Sequence, residues 1–475
     1  MINFNRQELE DKIYACWIGK NIGGTFGGPY EGRRHVLDVT DFATKSGKPL
    51  PNDDLDLQLV WLMAYEDCGP KMLTERVLGE YWLERIPPYW NEYGVCKSNM
   101  TRGLLPPLSG EFENEWKHSN GAWIRTEIWA CLYPGLVEDA IRFAYMDACV
   151  DHGMGEGTFA AIFVAAMESA AFVINDIRTL LNIGLSKIPE TCRMYQAITA
   201  AIKAFDEGKT WQEAREIVTK MALDDPELGW FQAPANVSYA VIGLLYGQGD
   251  FKKTMSIAVS CGDDTDCTGA TVGALMGLMN GMAAIPEDWR AHIGDEIVTV
   301  ALNRGASWGV PNTCTELAQR VFRQHAISLL GKPVSISDAP SSYEEKDVTA
   351  FSGHDFADEL AKRSPYHFDM EFAISRIMVD YDRAPRVEAG GEIGVKVTVC
   401  NKLRAQKHFE ISFLLPDGWT VNGGPKDVSV KYYGRTAGEF VLHAPADPAG
   451  KTRGVIQIAC EGHPDTALIP LIFFA

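Results

Sequence analysis

The sequence predicts a helical domain followed by a β-sandwich, and three observations carry that prediction. Apolar residues recur at three- and four-residue spacing from the start to about residue 335, the period of a half-buried helix. Beyond residue 370 the period changes to two, with β-branched and aromatic residues between turn signals. Between these regions the composition is polar and mixed, as in a linker. The expected organisation is an all-α domain over 1–335, a linker over 336–370 and a sandwich over 371–475.

The helical part reads as helix after helix: 6–19, 53–67, 157–174, 190–207, 235–246, 251–260 and 267–284. Stops are visible at Gly69-Pro70, Pro87-Pro88 and Pro134-Gly135. In the last of these helices Gly269, Gly273, Gly277 and Gly281 fall at four-residue spacing on one face. Each interior glycine costs a helix about 1 kcal/mol relative to alanine. Close approach of a second backbone is what offsets that cost, so this helix is expected at the centre of a bundle. Residues 82–125 are rich in tryptophan, tyrosine and proline and read as a long aromatic loop region.

The C-terminal part shows strand patterns at 373–380, 393–401, 407–414, 427–433, 437–443, 453–460 and 466–474. Turn signals such as Ala389-Gly390-Gly391, Pro416-Asp417-Gly418 and Asn422-Gly423-Gly424 separate them. About seven short strands in about 105 residues predict an immunoglobulin-like sandwich.

Composition narrows the function classes. The chain has 475 residues, 46% hydrophobic and 23% charged, which is ordinary for a globular protein. Eleven cysteines, an odd number with no Cys-x-x-Cys pair, argue against a disulfide framework or a zinc ribbon. The polar start MINFNRQELEDK has no apolar signal region, and no apolar run is long enough to span a bilayer. A cytoplasmic location and no membrane partner are expected. A net charge of −19 repels polyanions, so no nucleic-acid partner is expected. A small phosphate-bearing substrate remains compatible, because bound divalent cations reverse the local field.

Two acidic clusters stand out. Asn52-Asp53-Asp54-Leu55-Asp56 opens one helix, and Gly262-Asp263-Asp264-Thr265-Asp266 opens the glycine-rich one. One aspartate suffices for an N-cap, worth about 0.5–2 kcal/mol. Several together repel one another unless a cation or a proton lies between them. Hard oxygen donors with no histidine nearby in sequence favour magnesium, manganese or calcium over zinc.

Four segments in order resemble the ADP-ribosylglycohydrolase family, which includes the dinitrogenase reductase-activating glycohydrolase. Gly19-Lys20-Asn21-Ile22-Gly23-Gly24 through Gly28-Pro29-Tyr30-Glu31-Gly32 is similar to its opening glycine-rich segment. Asn52-Asp53-Asp54 is similar to its Thr-Asp-Asp, and Asn120-Gly121-Ala122-Trp123-Ile124-Arg125 to its Asn-Gly-x-x-Met-Arg. Gly262-Asp263-Asp264-Thr265-Asp266-Cys267 is similar to its Gly-Gly-Asp-Thr-Asp-Thr, and Asp151-His152-Gly153 to a His-Gly segment before a helix. The resemblance covers roughly residues 10–300 and nothing in the sandwich.

The resemblance implies an all-α catalytic domain with two Mg2+ or Mn2+ ions. It implies Asn52, Asp53, Asp54, Asp264 and Asp266 as metal ligands. Glu31, Asp53 and Asp54 are then the catalytic carboxylates, and Asn120, Gly121, Arg125, His152 and Gly153 lie by the substrate. The implied substrate is an ADP-ribosyl compound or another small glycoside, cut at an N- or O-glycosidic bond. Two positions depart from the family: Asn52 replaces a hydroxyl ligand and Cys267 replaces a threonine. Asp56 and Asp263 are extra carboxylates that can compensate. The alternative reading is a catalytically reduced protein of the same fold that binds ADP-ribose or a sugar.

Overall fold

The computed structural model describes residues 1–303, 305, 307–350, 355–360 and 362–475. Residues 351–354 and 361, within the expected linker, lie outside the described residues. The chain forms two units. One is Met1–Lys97 with Glu113–Ala361; the other is Ser98–Phe112 with Lys362–Ala475.

The first unit is helical, apart from a short parallel pair of β1 (Ile2–Asn5) and β2 (Val334–Ser337). Four residues each, INFN and VSIS, are too short for a two-residue period to register in the sequence. Asn5 then starts the first helix, Arg6–Gly27, its side chain accepting from the backbone N–H groups of Gln7 and Glu8. That helix runs eight residues beyond the expected end at 19, through Gly19, Gly23, Gly24 and Gly27.

The glycine-rich helix, Thr265–Asn280, explains why. A Cβ built on Gly19 would lie 2.1 Å from the carbonyl oxygen of Gly273; on Gly23, 2.0 Å from that of Gly269; on Gly27, 2.0 Å from that of Thr265. Gly277 meets the carbonyl of Ala15 at 2.3 Å in the same way. The two helices therefore run antiparallel with their backbones in direct contact, an approach that only the lack of a side chain permits. Gly281 does not join the seam; it ends the helix with φ +68°. The antiparallel arrangement sets the start of Thr265–Asn280 beside the end of Arg6–Gly27, so the second acidic cluster lies next to the 3-10 turn Gly28–Tyr30 and Glu31.

The other expected helices are present as Asp53–Cys68, Glu156–Ala171, Arg193–Asp206, Ala233–Gly247 and Phe251–Ser260. The aromatic stretch 82–125 is not one long loop. It contains the helix Asn91–Arg102 and a turn of helix at Leu108–Glu111, and Trp82 and Trp123 are fully buried. The polar helix NEYGVCKSNMTR has too few apolar residues to show its period between the flanking prolines. Among the described residues, no helix is long and apolar enough to cross a membrane.

The second unit is a sandwich of antiparallel strands: β3 (His367–Glu371), β4 (Ser375–Tyr381), β5 (Glu392–Asn401), β6 (Lys407–Leu414), β7 (Thr420–Gly423), β8 (Asp427–Val430), β9 (Arg435–His443), β10 (Lys451–Cys460) and β11 (Thr466–Phe474). One sheet has the order β11-β10-β6-β8 and the other β3-β4-β5-β9-β7. Burial alternates strictly along β4, as a sheet with one face on a core requires. The sequence pattern missed β3, whose first four residues are all buried, and β7, four residues that run into the Gly423-Gly424 turn. The core between the sheets also takes Leu104, Leu108 and Phe112, with Phe112 stacked on Phe474 at 5.1 Å. Asn99 holds that segment together, donating to the carbonyls of Ser109 and Phe112.

Candidate metal centre

Both acidic helix starts lie in the helical unit. Asn52 caps the helix Asp53–Cys68, its Oδ1 accepting from the N–H of Asp54 at 2.9 Å. Asp54 is fully buried, with Lys20 Nζ 3.8 Å from its Oδ1 and the Cys267 thiol donating to its Oδ2 at 3.7 Å. Asp53 accepts from the Tyr93 hydroxyl at 3.2 Å. Asp264 is held on three sides: its N–H donates to Asn236 Oδ1 (3.2 Å), its carbonyl accepts from Thr268 Oγ1 (2.7 Å), and its Oδ2 accepts from Asn120 Nδ2 (2.6 Å).

The clusters, two hundred residues apart in sequence, converge. Ligand-capable atoms of Glu31, Asp264 and Asp266 lie within 4.8 Å of one another, and so do those of Asp54, Asp266 and Cys267. Asp266 belongs to both groups.

This crowding has electrostatic consequences. The charges of Asp266 and Asp53, with partial burial, push the Glu31 carboxyl up to about 7. Burial and Asp266 push Asp53 to about 6. Asp54 and Asp264 are raised well above the usual carboxylate range, chiefly by burial. Lys20 opposes this at Asp54, but its ammonium is already bonded to Glu127 at 2.7 Å. Asp54 Oδ1, Asp264 Oδ1 and Asp266 Oδ1 are buried without a hydrogen-bond partner. Buried anionic oxygens left unbonded are costly. Divalent cations held by these carboxylates would satisfy such oxygens, and oxygen donors of this kind suit a hard ion.

The extra carboxylates do other work. Asp56 Oδ2 accepts from the backbone N–H groups of Val300 and Ala301. Asp263 has φ +67°, accepts from Asn236 Nδ2 at 2.8 Å and pairs with Arg34 at 3.3 Å. Neither belongs to the two ligand-capable groups that share Asp266.

The residues expected by the substrate are more buried than a binding role suggests. Asn120 bridges Asp264 and the indole N–H of Trp123, at 2.6 and 2.9 Å, so it orients a carboxylate. Arg125 is fully buried: it donates to Asp147 at 2.9 Å and to both oxygens of Asp151 at 2.7 and 3.1 Å, beside the Trp82 ring. Its fork is closed on protein carboxylates and does not meet the acidic cluster. The nearby Glu127 carboxylate accepts instead from Lys20 and Gln58. His152, also fully buried, has Nε2 3.1 Å from Ser119 Oγ and Nδ1 2.9 Å from Asp151. A Cβ on Gly121 would meet Glu92 Oε1 at 2.2 Å, and Gly153 ends the helix Val137–His152 with φ +52°. Asn120 joins this buried polar wall to the cluster through Asp264.

Sequence reasoning passed over Lys20, Gln58, Tyr93, Glu127 and Asn236. Lys20 did leave a signal, a single cation inside the small-residue run Gly19-Lys20-Asn21-Ile22-Gly23 of a buried helix.

An all-helical domain that gathers carboxylates from two helix starts into one buried cluster is the class of fold used by a family of glycohydrolases. The ADP-ribosylglycohydrolase family profile matches residues 5–325, and the chain belongs to that family. A solved ADP-ribosylglycohydrolase-related protein complex is 20% identical, over 67% of this chain and 99% of its own, with a TM-score of 0.44. A FixG-related protein from Vibrio parahaemolyticus is 13% identical over 22% of this chain and 97% of its own, with a TM-score of 0.19. The cupredoxin domain of amoB from Nitrosocaldus yellowstonii is 9% identical over 22% and 88%, also at 0.19. No curated protein matches the chain.

Proposed function

We propose that the chain is a metal-dependent hydrolase that cleaves an N- or O-glycosidic bond of an ADP-ribosyl or related ribosyl or sugar substrate. The observation that carries this reading is that Asp54 and Asp264, from helix starts far apart in the chain, both lie against Asp266, and each of the three has a buried carboxylate oxygen without a hydrogen-bond partner. Asp53, Asp54, Asp264 and Asp266, with the side-chain oxygen of Asn52, would hold two Mg2+ or Mn2+ ions. When bound, such ions supply Lewis-acid polarisation of sugar hydroxyl oxygens.

The chain's own groups do the rest. Lys20 and the Cys267 thiol fix Asp54, and Asn120 fixes the free oxygen of Asp264 toward the centre. Glu31 is the exposed member of the cluster and meets solvent. It, or one of Asp53 and Asp54, takes a proton from the attacking water while the new C–O bond forms at the anomeric carbon. The bond from that carbon to the departing nitrogen or oxygen breaks, and the same carboxylate passes the proton on to the leaving atom. Gly121, Arg125, His152 and Gly153 act on the substrate through the wall they hold rigid. Eleven cysteines, none of them in a disulfide, accord with a reducing, cytoplasmic setting.

The test is turnover of ADP-ribosyl-arginine, ADP-ribosyl-serine and simple ribosides by metal-depleted protein. Hydrolysis is expected only when Mg2+ or Mn2+ is restored; full activity in excess chelator would sink the proposal. A second reading, binding without catalysis, draws on Asn52, whose side chain serves as a helix cap where the resembled motif has a hydroxyl. Tight ADP-ribose binding with no turnover under any metal would establish it.

A further inference from the structure

The two ligand groups that share Asp266 differ in chemistry. Glu31, Asp264 and Asp266 offer oxygen alone, whereas Asp54, Asp266 and Cys267 add a sulfur. Resting on the metal-centre reading above, we propose that the centre is asymmetric: the all-oxygen group takes a hard divalent ion, and the Cys267 group takes a borderline divalent transition metal bound through sulfur.

The surroundings of Cys267 support this. A buried cysteine ordinarily packs as a small hydrophobe. Cys267 is 7% exposed, yet its thiol is turned onto a carboxylate oxygen of Asp54 at 3.7 Å, with Asp266 close by. The neighbouring oxygens supply a second, independent pointer to a ligand. Asp54 is fully buried, and its Oδ1, like Asp266 Oδ1, lacks a hydrogen-bond partner. Cys267 also lies in the first turn of Thr265–Asn280, next to Asp266 and after the N-cap Asp264, while Asp54 comes from the start of Asp53–Cys68. A thiolate with two carboxylates is a poor donor set for magnesium and a good one for zinc, cobalt or ferrous iron. Binding breaks the S–H bond, forms the S–metal bond and releases the proton to solvent, with no change in oxidation state. Asp266, common to both groups, is the carboxylate that bridges them.

The test is titration of metal-depleted full-length protein with Co2+, followed by absorbance and calorimetry, on wild type, Cys267→Ser and Cys267→Thr. Wild type is expected to develop a near-ultraviolet thiolate-to-cobalt charge-transfer band. Both variants are expected to lose it, bind Co2+ and Zn2+ about tenfold or more weakly, and keep the wild-type affinity for Mg2+. Cobalt binding to wild type without the band overturns sulfur ligation and leaves the metal-centre reading standing. A band that survives in both variants assigns it to another cysteine and also overturns the proposal. No binding of Co2+ or Mg2+ by any form overturns the metal-centre reading together with it.

Discussion

Gly23→Ala tests whether the backbone seam assembles the centre. The added Cβ would stand 2.0 Å from the Gly269 carbonyl oxygen, where real contacts stay beyond 3.0 Å. The obstacle is backbone on both sides, so no side chain can swing away and the helices must part by about 1 Å. Alanine gains about 1 kcal/mol in helix propensity. Overpacking of this kind costs about 1–3 kcal/mol or more, and contact with backbone places it at the upper end. The net expectation is a loss of about 2 kcal/mol. The same displacement moves Asp264 and Asp266 relative to Glu31, and a misplacement of about 1 Å can cost about 100-fold in turnover. Urea unfolding measures the first effect; metal calorimetry and turnover measure the second. Gly450→Ala, with nothing within 4 Å of the added carbon, serves as the control. A Gly23→Ala protein with wild-type stability and metal affinity would refute the close-packed seam.

The remaining predictions follow from single contacts. Asp264→Asn should weaken Mg2+ or Mn2+ binding at least about tenfold while Asn120 keeps a partner, as read by calorimetry; unchanged affinity would remove Asp264 from the ligand set. Arg125→Met should destabilise the fold by about 3–5 kcal/mol, because Asp147 and Asp151 lose their buried counter-charge; a folded variant altered only in KM would instead mean that Arg125 touches substrate. Burial lowers His118 and His325 from 6.5 to about 4. The unfolded chain therefore takes up protons first, so the stability that each contributes is full above pH 6.5 and lost as pH falls toward 4. The full loss is about 3 kcal/mol per histidine, of which about 2 is reached by pH 5, so urea midpoints at pH 7 and 5 should show it, with a smaller drop in His118→Gln. A chain ending at residue 361 should aggregate, because Leu104, Leu108 and Phe112 lose the strands that cover them; a monodisperse, fully active truncation would contradict this.

Much of the fold was legible because it rests on periodicity. The glycines of 265–280 announced a backbone partner, and the strand alternation after 370 located seven of the nine sandwich strands closely. What stayed hidden was pairing. Nothing in the sequence says that Gly19 and Gly23 lie against Gly273 and Gly269; a glycine in a helix reads equally as a stop, which is why the first helix seemed to end at 19. The acidic clusters were legible as clusters, but their convergence depends on that seam. Arg125 shows the limit of motif reading: its residue type suits an anionic ligand, yet Asp147 and Asp151, on one face of the helix Val137–His152, take up its guanidinium.

The placement of Ser98–Phe112 has a consequence for biosynthesis. These residues leave the ribosome well before Phe474, the ring that covers Phe112 and follows it by about 360 residues. At about 5–20 residues per second the interval is roughly 20–70 s. Through that wait a greasy stretch stands bare on a nascent chain whose flanking helices can already form. A holdase bridging this gap, or its absence in a foreign host, would then govern how much protein is recovered.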